Sequence, residues 1–184
     1  MHTQSASSLT SIQKFFDNFH TVERNKLYRS AQLSVHSLEK YIKRNNIKTI
    51  INLRGVERDS PWWIKERFFA LTHYINFLNV TLAAQKFSPK NALLKLLYIY
   101  DHAPRPILIH CYSGADRTGE ASALWVLTQQ KKDIKTALKQ LSLRFGYLYF
   151  RHPAKYKFIS LWQGQKWLIK KYNPDELNKK YKFT

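Results

Sequence analysis

The amino-acid sequence predicts an α/β fold: a single compact domain with a central, mainly parallel sheet flanked by helices. Short apolar runs of strand length alternate with longer segments of helical pattern, which is typical of parallel strands joined by helical crossovers. The length of 184 residues corresponds to about one domain. A hydrophobic content of 44%, with five glycines and six prolines, suits a packed core and excludes disordered or fibrous chains.

Four segments are predicted to form the strands of this sheet. Residues 19–28 have the pattern of a strand or the start of a hairpin, and residues 47–53 form a short β-branched run typical of a buried strand. Residues 106–110 form another compact apolar strand, while residues 73–80 give a weaker signal. Strands separated in this way by helical segments favour parallel pairing.

Serine residues mark the starts of three helices between these strands. Ser34 is expected to cap a helix that ends near Asn45, and Ser60 and Ser88 each precede a proline, which favours the first helical turn. Three further helices are predicted in the second half of the chain. They span residues 119–130, 133–145 and 158–172, and Gly146 and Pro174 follow the last two.

The predicted domain spans residues 19–172, with an N-terminal extension at 1–18 and a C-terminal tail at 173–184. No apolar run reaches the ~20 residues of a transmembrane helix, and the N-terminus lacks the pattern of a signal peptide, so the compartment is open. The single cysteine excludes a disulfide framework and a cysteine-rich zinc site.

The charge of the chain predicts an anionic partner. Lysine and arginine number 31 against 12 aspartates and glutamates, which gives a net charge of +19. A charge of this size on a small domain attracts nucleic acid, an anionic membrane surface or a polyanionic small molecule. The alternative is a solubilising surface, because lysines occur along the whole chain.

One segment, residues 107–119, has the composition of an anion-binding site. An apolar strand runs into a seven-residue loop, 111–117, that begins with the only cysteine and ends with Arg117, and a helix follows at once. We call residues 111–117 the anion loop. Its amides and the helix N-terminus attract phosphate oxygens and favour the thiolate of Cys111. Arg117 can bind two oxygens at once, Gly114 permits close approach, and Thr118 can donate to the sulfur.

The predicted phosphate-binding set consists of this loop and two neighbours. An ordinary small cysteine packed at a strand end is the alternative for Cys111, but the combined pattern of Cys, Gly, Arg and Thr-Gly between a strand and a helix disfavours chance. The set is Tyr112, Ser113, Gly114, Ala115, Asp116, Arg117, Thr118 and, after the strand at 47–53, Arg54.

The segment His-Cys-x5-Arg-Thr-Gly at 110–119 resembles the signature of the cysteine-based protein tyrosine phosphatase superfamily. The short chain resembles the compact dual-specificity branch of that superfamily. Residues 27–32 and 47–55 are similar to segments of bacterial dual-specificity-like phosphatases. The resemblance extends from about residue 18 to about residue 150 and implies a dual-specificity phosphatase-like fold.

The resemblance implies a two-step mechanism that needs no metal and no cofactor. Cys111 attacks phosphorus to form a phosphocysteine, and Arg117 with the loop amides holds the phosphoryl oxygens. A carboxylic acid protonates the leaving oxygen and then activates the water that hydrolyses the intermediate. His110 either fixes the loop or is an ordinary core histidine.

The identity of that acid is where the chain departs from the family. The usual acid lies some 30 to 40 residues before the nucleophile in relatives, yet residues 67–100 contain no Asp or Glu. Asp116 is our first candidate, because myotubularin-type lipid phosphatases resemble this chain in having Asp just before the Arg. Asp59 is the second candidate, although it is equally suited to stabilise a helix N-terminus. Glu57 and Asp101 complete the set, and a leaving group that needs no strong acid is the third option.

The charge favours an inositol phosphate or phosphoinositide as substrate. A lysine common in the loop of lipid-directed relatives is Ala115 here, which weakens the lipid option. Phosphotyrosine, phosphoserine or phosphothreonine protein remains open, and an RNA 5′-phosphatase or a non-catalytic phosphate- or nucleic-acid-binding module are the alternatives. We expect a monomer that acts on a phosphorylated, polyanionic substrate, without an obligate nucleic acid and with an anionic membrane surface as a further partner.

A basic, aromatic-rich stretch lies between residues 144 and 157. It borders the pocket or an anionic partner in one interpretation, and it is a solvated surface with a few core aromatics in the other, which we favour slightly. Its basic residues are Arg144, Arg151, His152, Lys155 and Lys157, and its aromatic residues are Tyr147, Tyr149, Phe150 and Tyr156.

Overall fold

A computed structural model describes residues 16–183. Their core is a five-stranded sheet with the strand order β1-β2-β5-β3-β4. β1 runs antiparallel to β2, and the other neighbours pair in parallel. The predicted α/β fold with a mainly parallel sheet is therefore confirmed.

The strands and helices alternate along the chain, as predicted. The strands are β1 (His20–Glu23), β2 (Leu27–Ser30), β3 (Thr49–Asn52), β4 (Asn76–Asn79) and β5 (Ile107–His110). The helices are α1 (Val35–Asn45), α2 (Pro61–Thr72), α3 (Lys90–His102), α4 (Asp116–Thr128), α5 (Ile134–Leu138), α6 (Pro153–Ser160), α7 (Gln165–Lys170) and α8 (Pro174–Tyr181), with a 3₁₀ turn at Leu143–Phe145.

The sheet divides the core into two clusters, because successive strand side chains point to opposite faces. On β5, Ile107 and Ile109 pack against α3, α4 and the C-terminal helices, while Leu108 packs against α1 and α2. β5 lies between β2 and β3, with His110 opposite Ser30 and Asn52. The carboxyl ends of the three central strands thus meet at one edge, where ligands bind in such sheets.

The three predicted helix starts are confirmed, but of their three serines only Ser34 caps its helix through a side-chain hydrogen bond. The Ser34 hydroxyl accepts a hydrogen bond from the Ser37 amide at 3.1 Å, and α1 ends at Asn46 in a left-handed conformation (φ 50°). Pro61 is the first residue of α2. Ser88 precedes α3 without capping it, because its hydroxyl donates to the Glu120 carboxylate at 2.6 Å.

Two of the later helices were predicted too long. Residues 133–145 form only α5, which ends at Leu138, and the 3₁₀ turn, which follows an extended Ser142 (φ −135°, ψ 163°). Residues 158–172 are divided between α6, which begins earlier at Pro153, and α7. Gly164 separates them with φ 94°, a backbone conformation that cannot continue a right-handed helix.

The segment predicted as a C-terminal tail contains α8. Leu177, Tyr181 and Phe183 pack against the main core cluster, and the Phe87 amide donates to the Asn178 side chain at 2.9 Å. The N-terminal extension predicted at 1–18 lies almost entirely outside the described residues. Within residues 16–183, no helix combines the length and hydropathy needed to cross a bilayer.

Candidate active site

The anion loop connects β5 to α4 at the carboxyl edge of the sheet. Cys111 follows the last residue of β5, and its exposed fraction is 2%. α4 begins at Asp116, three residues before the predicted start at Gly119. Asp116, Arg117 and Thr118 therefore form the first helical turn, whose free amides and partial positive charge face the loop.

Three consecutive carbonyl groups of the loop are bound from outside. The carbonyl oxygen of Tyr112 accepts from the Gln32 amide at 2.9 Å, that of Ser113 from the Asn18 side chain at 2.9 Å, and that of Gly114 from Arg29 at 2.8 Å. In a peptide unit, the carbonyl and the next amide point in opposite directions. The amides of residues 113–115 therefore point away from these anchors, and none of them has a hydrogen-bond partner in the described part of the chain.

Gly114 brings the loop against β2. Its φ is +74°, and a Cβ at this position would lie 2.7 Å from backbone atoms of Ser30 and Ala31. A side chain is therefore excluded by strain and by contact with a backbone that cannot move aside. The sequence predicted that the backbone at Gly114 approaches a bound ligand closely, whereas the close approach in the structure is to a strand of the sheet.

Arg29 supports the loop from below, and sequence reasoning missed it. The side chain is fully buried; besides Gly114 it donates to the backbone carbonyl of Gln140 at 2.9 Å and to the Gln140 side chain at 3.0 Å, and it lies over the Phe145 ring. Burial lowers the pKa of Arg29 to about 9, against the opposing charges of Cys111 and Tyr100. The guanidinium is therefore protonated at neutral pH. The signal in the sequence is an arginine at the end of a segment that has the pattern of a strand, because arginine is rarely buried without a specific role.

Arg117 and Thr118, in the first turn of α4, keep polar atoms free. Arg117 is half-buried, and within residues 16–183 its guanidinium has neither a hydrogen bond nor an ion pair. The Thr118 hydroxyl is buried without a hydrogen-bond partner. Buried or half-buried donors without partners are costly unless a ligand completes them.

A chain of polar contacts links His110 to the mouth of the site. His110 Nε2 lies 3.1 Å from Glu66 on α2, and the other Glu66 oxygen accepts from the Gln32 side chain at 3.1 Å. Gln32 Oε1 lies 3.4 Å from the Arg54 guanidinium. His110 Nδ1 lies 3.2 Å from the Cys111 carbonyl oxygen. Glu66, a buried acid that the sequence analysis did not select, thus accepts a hydrogen bond from Gln32 and lies next to His110.

Arg54 lies at the rim next to the anion loop. Its guanidinium carbon is 3.7 Å from the centre of the Trp62 ring and 5.4 Å from that of exposed Tyr112. Glu57 approaches it at 3.4 Å. The structure therefore brings this predicted substrate-binding residue close to Tyr112 of the anion loop.

Asp116 is the one candidate acid that belongs to the loop. Its Oδ2 lies 4.0 Å from His152 Nε2, and its buried Oδ1 has no hydrogen-bond partner in the described chain. Burial raises the pKa of Asp116, while the nearby charges of His152 and Lys155 partly oppose the shift. His152 comes from the loop before α6, far along the chain, so its contact with Asp116 was not visible in the sequence.

The other candidate acids lie in less suitable places. Asp59 is exposed in the turn before α2, and Glu57 accepts from the Ser60 hydroxyl at 2.9 Å. Asp101 accepts from the Gln129 side chain at 2.7 Å. α4 begins at the anion loop, and Gln129 follows its last residue. Asp101, which binds Gln129, therefore lies at the far end of α4, away from the anion loop.

The basic stretch at 144–157 is divided between surface and core. Arg144 and Arg151 are exposed, whereas Lys155 is completely buried and pairs with Glu120 at 3.0 Å. Tyr147 is buried as well, and its hydroxyl donates to the His152 carbonyl at 2.6 Å. Among the described residues, no three His, Cys, Asp or Glu side chains are grouped to hold a metal ion.

A parallel sheet whose central strand leads through a Cys-x5-Arg loop into a helix defines the dual-specificity phosphatase-like fold. The chain belongs to the family described as DSP-PTPase phosphatase fused to NAD+ kinase, whose model matches residues 6–148. The predicted resemblance to the cysteine-based phosphatases is thereby confirmed. No curated protein matches the chain significantly.

Solved structures share this fold at low sequence identity. The core catalytic domain of the PP-IP phosphatase SIW14 from S. cerevisiae, in complex with citrate, is 22% identical with a TM-score of 0.67, covering 90% of this chain and 93% of that chain. P. aeruginosa TpbA in complex with pTyr is 19% identical with a TM-score of 0.64, covering 100% of both chains. A putative phosphatase from Shewanella putrefaciens is 13% identical with a TM-score of 0.62, covering 84% and 95%.

Proposed function

We propose that this protein hydrolyses phosphomonoesters through a phosphocysteine intermediate on Cys111. The observation that carries the proposal is the outward binding of the carbonyls of Tyr112, Ser113 and Gly114. It directs the following amides to the centre of the loop, where they and Arg117 can hold the three oxygens of a phosphoryl group.

The first chemical step transfers the phosphoryl group to sulfur. The Cys111 thiolate forms an S–P bond while the P–O bond to the leaving group breaks, and its electron pair goes to the leaving oxygen. Asp116 donates the proton that neutralises this oxygen. Burial, which raises the pKa of Asp116, keeps that proton in place at higher pH.

The second step returns the enzyme to its starting state. Water forms a new P–O bond as the S–P bond breaks, inorganic phosphate leaves, and the sulfur departs as a thiolate. The Asp116 carboxylate accepts the proton that this water loses, so that acid and base are the same residue in turn. Positioning and charge supply most of the catalysis in such a reaction.

For the substrate we propose an inositol phosphate or a phosphoinositide. A second phosphate on the same molecule would find Arg54, held between Trp62 and Tyr112 beside the loop. The net charge of +19 favours such a polyanion. SIW14, which has the same fold, is named a PP-IP phosphatase. Phosphotyrosine protein is the second candidate, because TpbA with this fold binds pTyr.

The first test compares the wild type with Cys111→Ser on p-nitrophenyl phosphate. The wild type is expected to release p-nitrophenol, whereas the variant retains the loop amides and binds inorganic phosphate without turnover. Equal activity in both proteins would indicate a contaminant and return a non-catalytic binding module to first place. Thermal unfolding of both proteins controls for folding.

A panel of substrates then separates the substrate classes. Phosphate release is measured from inositol hexakisphosphate, a phosphoinositide, a phosphotyrosine peptide and RNA 5′-triphosphate. The proposed class predicts the highest kcat/KM for the first two, and Arg54→Gln should raise KM for them more than for p-nitrophenyl phosphate. Preference for the peptide or the RNA would replace the inositol class with that one.

A further inference from the structure

The segment at 143–151, which we call the rim segment, lies directly beside the anion loop. The Asn18 side chain that binds the Ser113 carbonyl also donates to the Phe145 carbonyl, at 3.0 Å. A Cβ on Gly146 would lie 3.9 Å from that of Ala115. The next residue after the segment, His152, faces Asp116. Whatever binds the rim segment is therefore brought to the mouth of the catalytic site.

The rim segment is anchored by buried aromatic residues and projects apolar ones. Phe145 and Tyr147 are buried, and the Tyr147 hydroxyl is fixed by His152 and by the Tyr156 amide. Three other side chains of the segment are exposed instead. These are Leu143 at 76%, Tyr149 at 55% and Phe150 at 78%. Large apolar side chains held in solvent beside a site mark an interaction surface.

The charged side chains of the rim segment are all positive. Arg144 and Arg151 are exposed within the rim segment itself. No Asp or Glu occurs in the chain between Asp133 and Asp175. The surface around the rim segment thus attracts an extended anionic partner, with apolar groups at its centre.

We propose that the rim segment docks the protein on an anionic lipid bilayer, with the anion loop facing the headgroups. Side chains about three-quarters exposed project from the surface, so they can enter the boundary between headgroups and acyl chains, with Tyr149 at headgroup level. Arg144 and Arg151 then meet anionic lipids, which attract basic side chains near the membrane surface. The proposal rests on the proposed function in one respect: a phosphoinositide headgroup in the bilayer would be the substrate that reaches Cys111.

A second exposed apolar pair provides a matched control. Phe68 and Leu71 on α2 are exposed by 66% and 71%, close to the values of Phe150 and Leu143. They line a pocket together with Arg58 and Arg67, and their helix runs away from the anion loop. The same two residue types, each pair with basic neighbours, are therefore compared beside the anion loop and away from it.

The experiment is vesicle flotation of the full chain with phosphatidylcholine alone or mixed with phosphatidylserine. Wild type and Cys111→Ser should both float with the anionic vesicles and not with the neutral ones. Leu143→Ser with Phe150→Ser should weaken this binding about tenfold or more, whereas Phe68→Ser with Leu71→Ser should leave it near the wild-type value. Turnover of p-nitrophenyl phosphate should stay unchanged in both double variants.

Several outcomes would overturn the proposal. Absence of wild-type flotation, or an equal loss in both double variants, would remove the rim segment as a membrane surface. A change in sedimentation coefficient confined to the rim variant would assign the segment to a second copy of the chain. Vesicle binding needs no turnover, so it can fail while phosphatase activity persists, and an inactive enzyme can still bind.

Discussion

Asp116 combines the burial and the neighbours that a general acid requires. Its position before Arg117 puts its carboxyl in the anion loop, and burial raises its pKa, while His152 and Lys155 limit that rise. A raised pKa keeps the proton on the acid at pH values where an exposed aspartate has lost it. The proton is then available for the leaving oxygen in the first step.

Replacing Asp116 with Asn should change the pH profile as well as the rate. The neutral side chain cannot lose a proton, so the fall in kcat/KM on the basic side of the profile should flatten. The loss of kcat should be about 10²-fold or more for phenyl phosphate, whose leaving oxygen needs a proton, and smaller for p-nitrophenyl phosphate. Profiles of both substrates measure this.

Asp59→Asn is the matched control for this experiment, since Asp59 is exposed in the turn before α2. It should retain the wild-type profile with both substrates. A basic limb that persists in Asp116→Asn and disappears in Asp59→Asn would transfer the acid role to Asp59.

The sequence could identify residues that act through local spacing, and these are Cys111, Gly114, Asp116 and Arg117. Their roles depend on one strand, one loop and one helix end that are contiguous in the chain. Arg29, by contrast, reaches Gln140, which is 111 positions away. Contacts of this kind depend on how distant elements pack, and one sequence without structure does not contain them. The same reason hid Glu66 and His152.

At the level of elements, the helix ends control the site. α4 begins at Asp116, directly after Ala115. The sequence analysis predicted a later start, because residues 116–118 are polar and give no apolar helical pattern. The predicted helix at 133–145 is interrupted where both oxygens of Gln140 bind Arg29. Local helical periodicity was sound there, and a tertiary contact overrode it.

Gly114→Ala should disrupt the loop more than a positive φ alone would. The new Cβ would lie 2.7 Å from the backbone of Ser30 and Ala31, so the loop has to move away from β2. A displacement near 1 Å in a catalytic group lowers turnover by about 10²-fold. Both kcat for p-nitrophenyl phosphate and the melting temperature should therefore fall.

Gly164→Ala separates the two contributions. Gly164 has φ 94° and no atom within 4 Å of a Cβ, so its substitution carries the conformational cost without a clash. Because ψ of Gly164 is 171°, in a region that is essentially restricted to glycine, a cost of about 1–3 kcal/mol and normal turnover are expected. Equal effects of the two substitutions would mean that close packing of the loop on β2 is not what holds it.

At the level of the whole molecule, one buried polar network joins the helices behind the site. Lys155 on α6 donates to Glu120 on α4 at 3.0 Å and to Ser88 before α3 at 2.9 Å. The Tyr172 hydroxyl donates to the Ser88 carbonyl at 2.7 Å. Glu120 lies one turn after Asp116 on α4. The C-terminal helices are thereby fixed to the helix that carries the loop, which the sequence analysis, treating Lys155 as part of a surface stretch, did not predict.

Removing only the lysine of this network should destabilise the protein strongly. Lys155→Met leaves Glu120 buried without its cation, and one of the Glu120 oxygens already has no hydrogen-bond partner among the described residues. Loss of one partner of a buried pair costs about 3–5 kcal/mol. Combining Lys155→Met with Glu120→Gln removes the charge and keeps the acceptor for Ser88, so most of this loss should be recovered. Urea unfolding of wild type, single and double variants measures the difference.

The pH dependence of that loss identifies its cause. Burial raises the pKa of Glu120 even beside Lys155. When the pKa of a carboxyl is higher in the folded than in the unfolded state, the protein becomes less stable as the pH rises toward the folded-state pKa. The protein regains that stability as the pH falls. The deficit of Lys155→Met relative to the double variant should therefore shrink from about pH 7 to about pH 5, because the double variant has no charge at this site to protonate. A deficit of the single variant that does not change with pH would assign the loss to altered packing around the substituted side chain on α6, not to the uncompensated charge of Glu120.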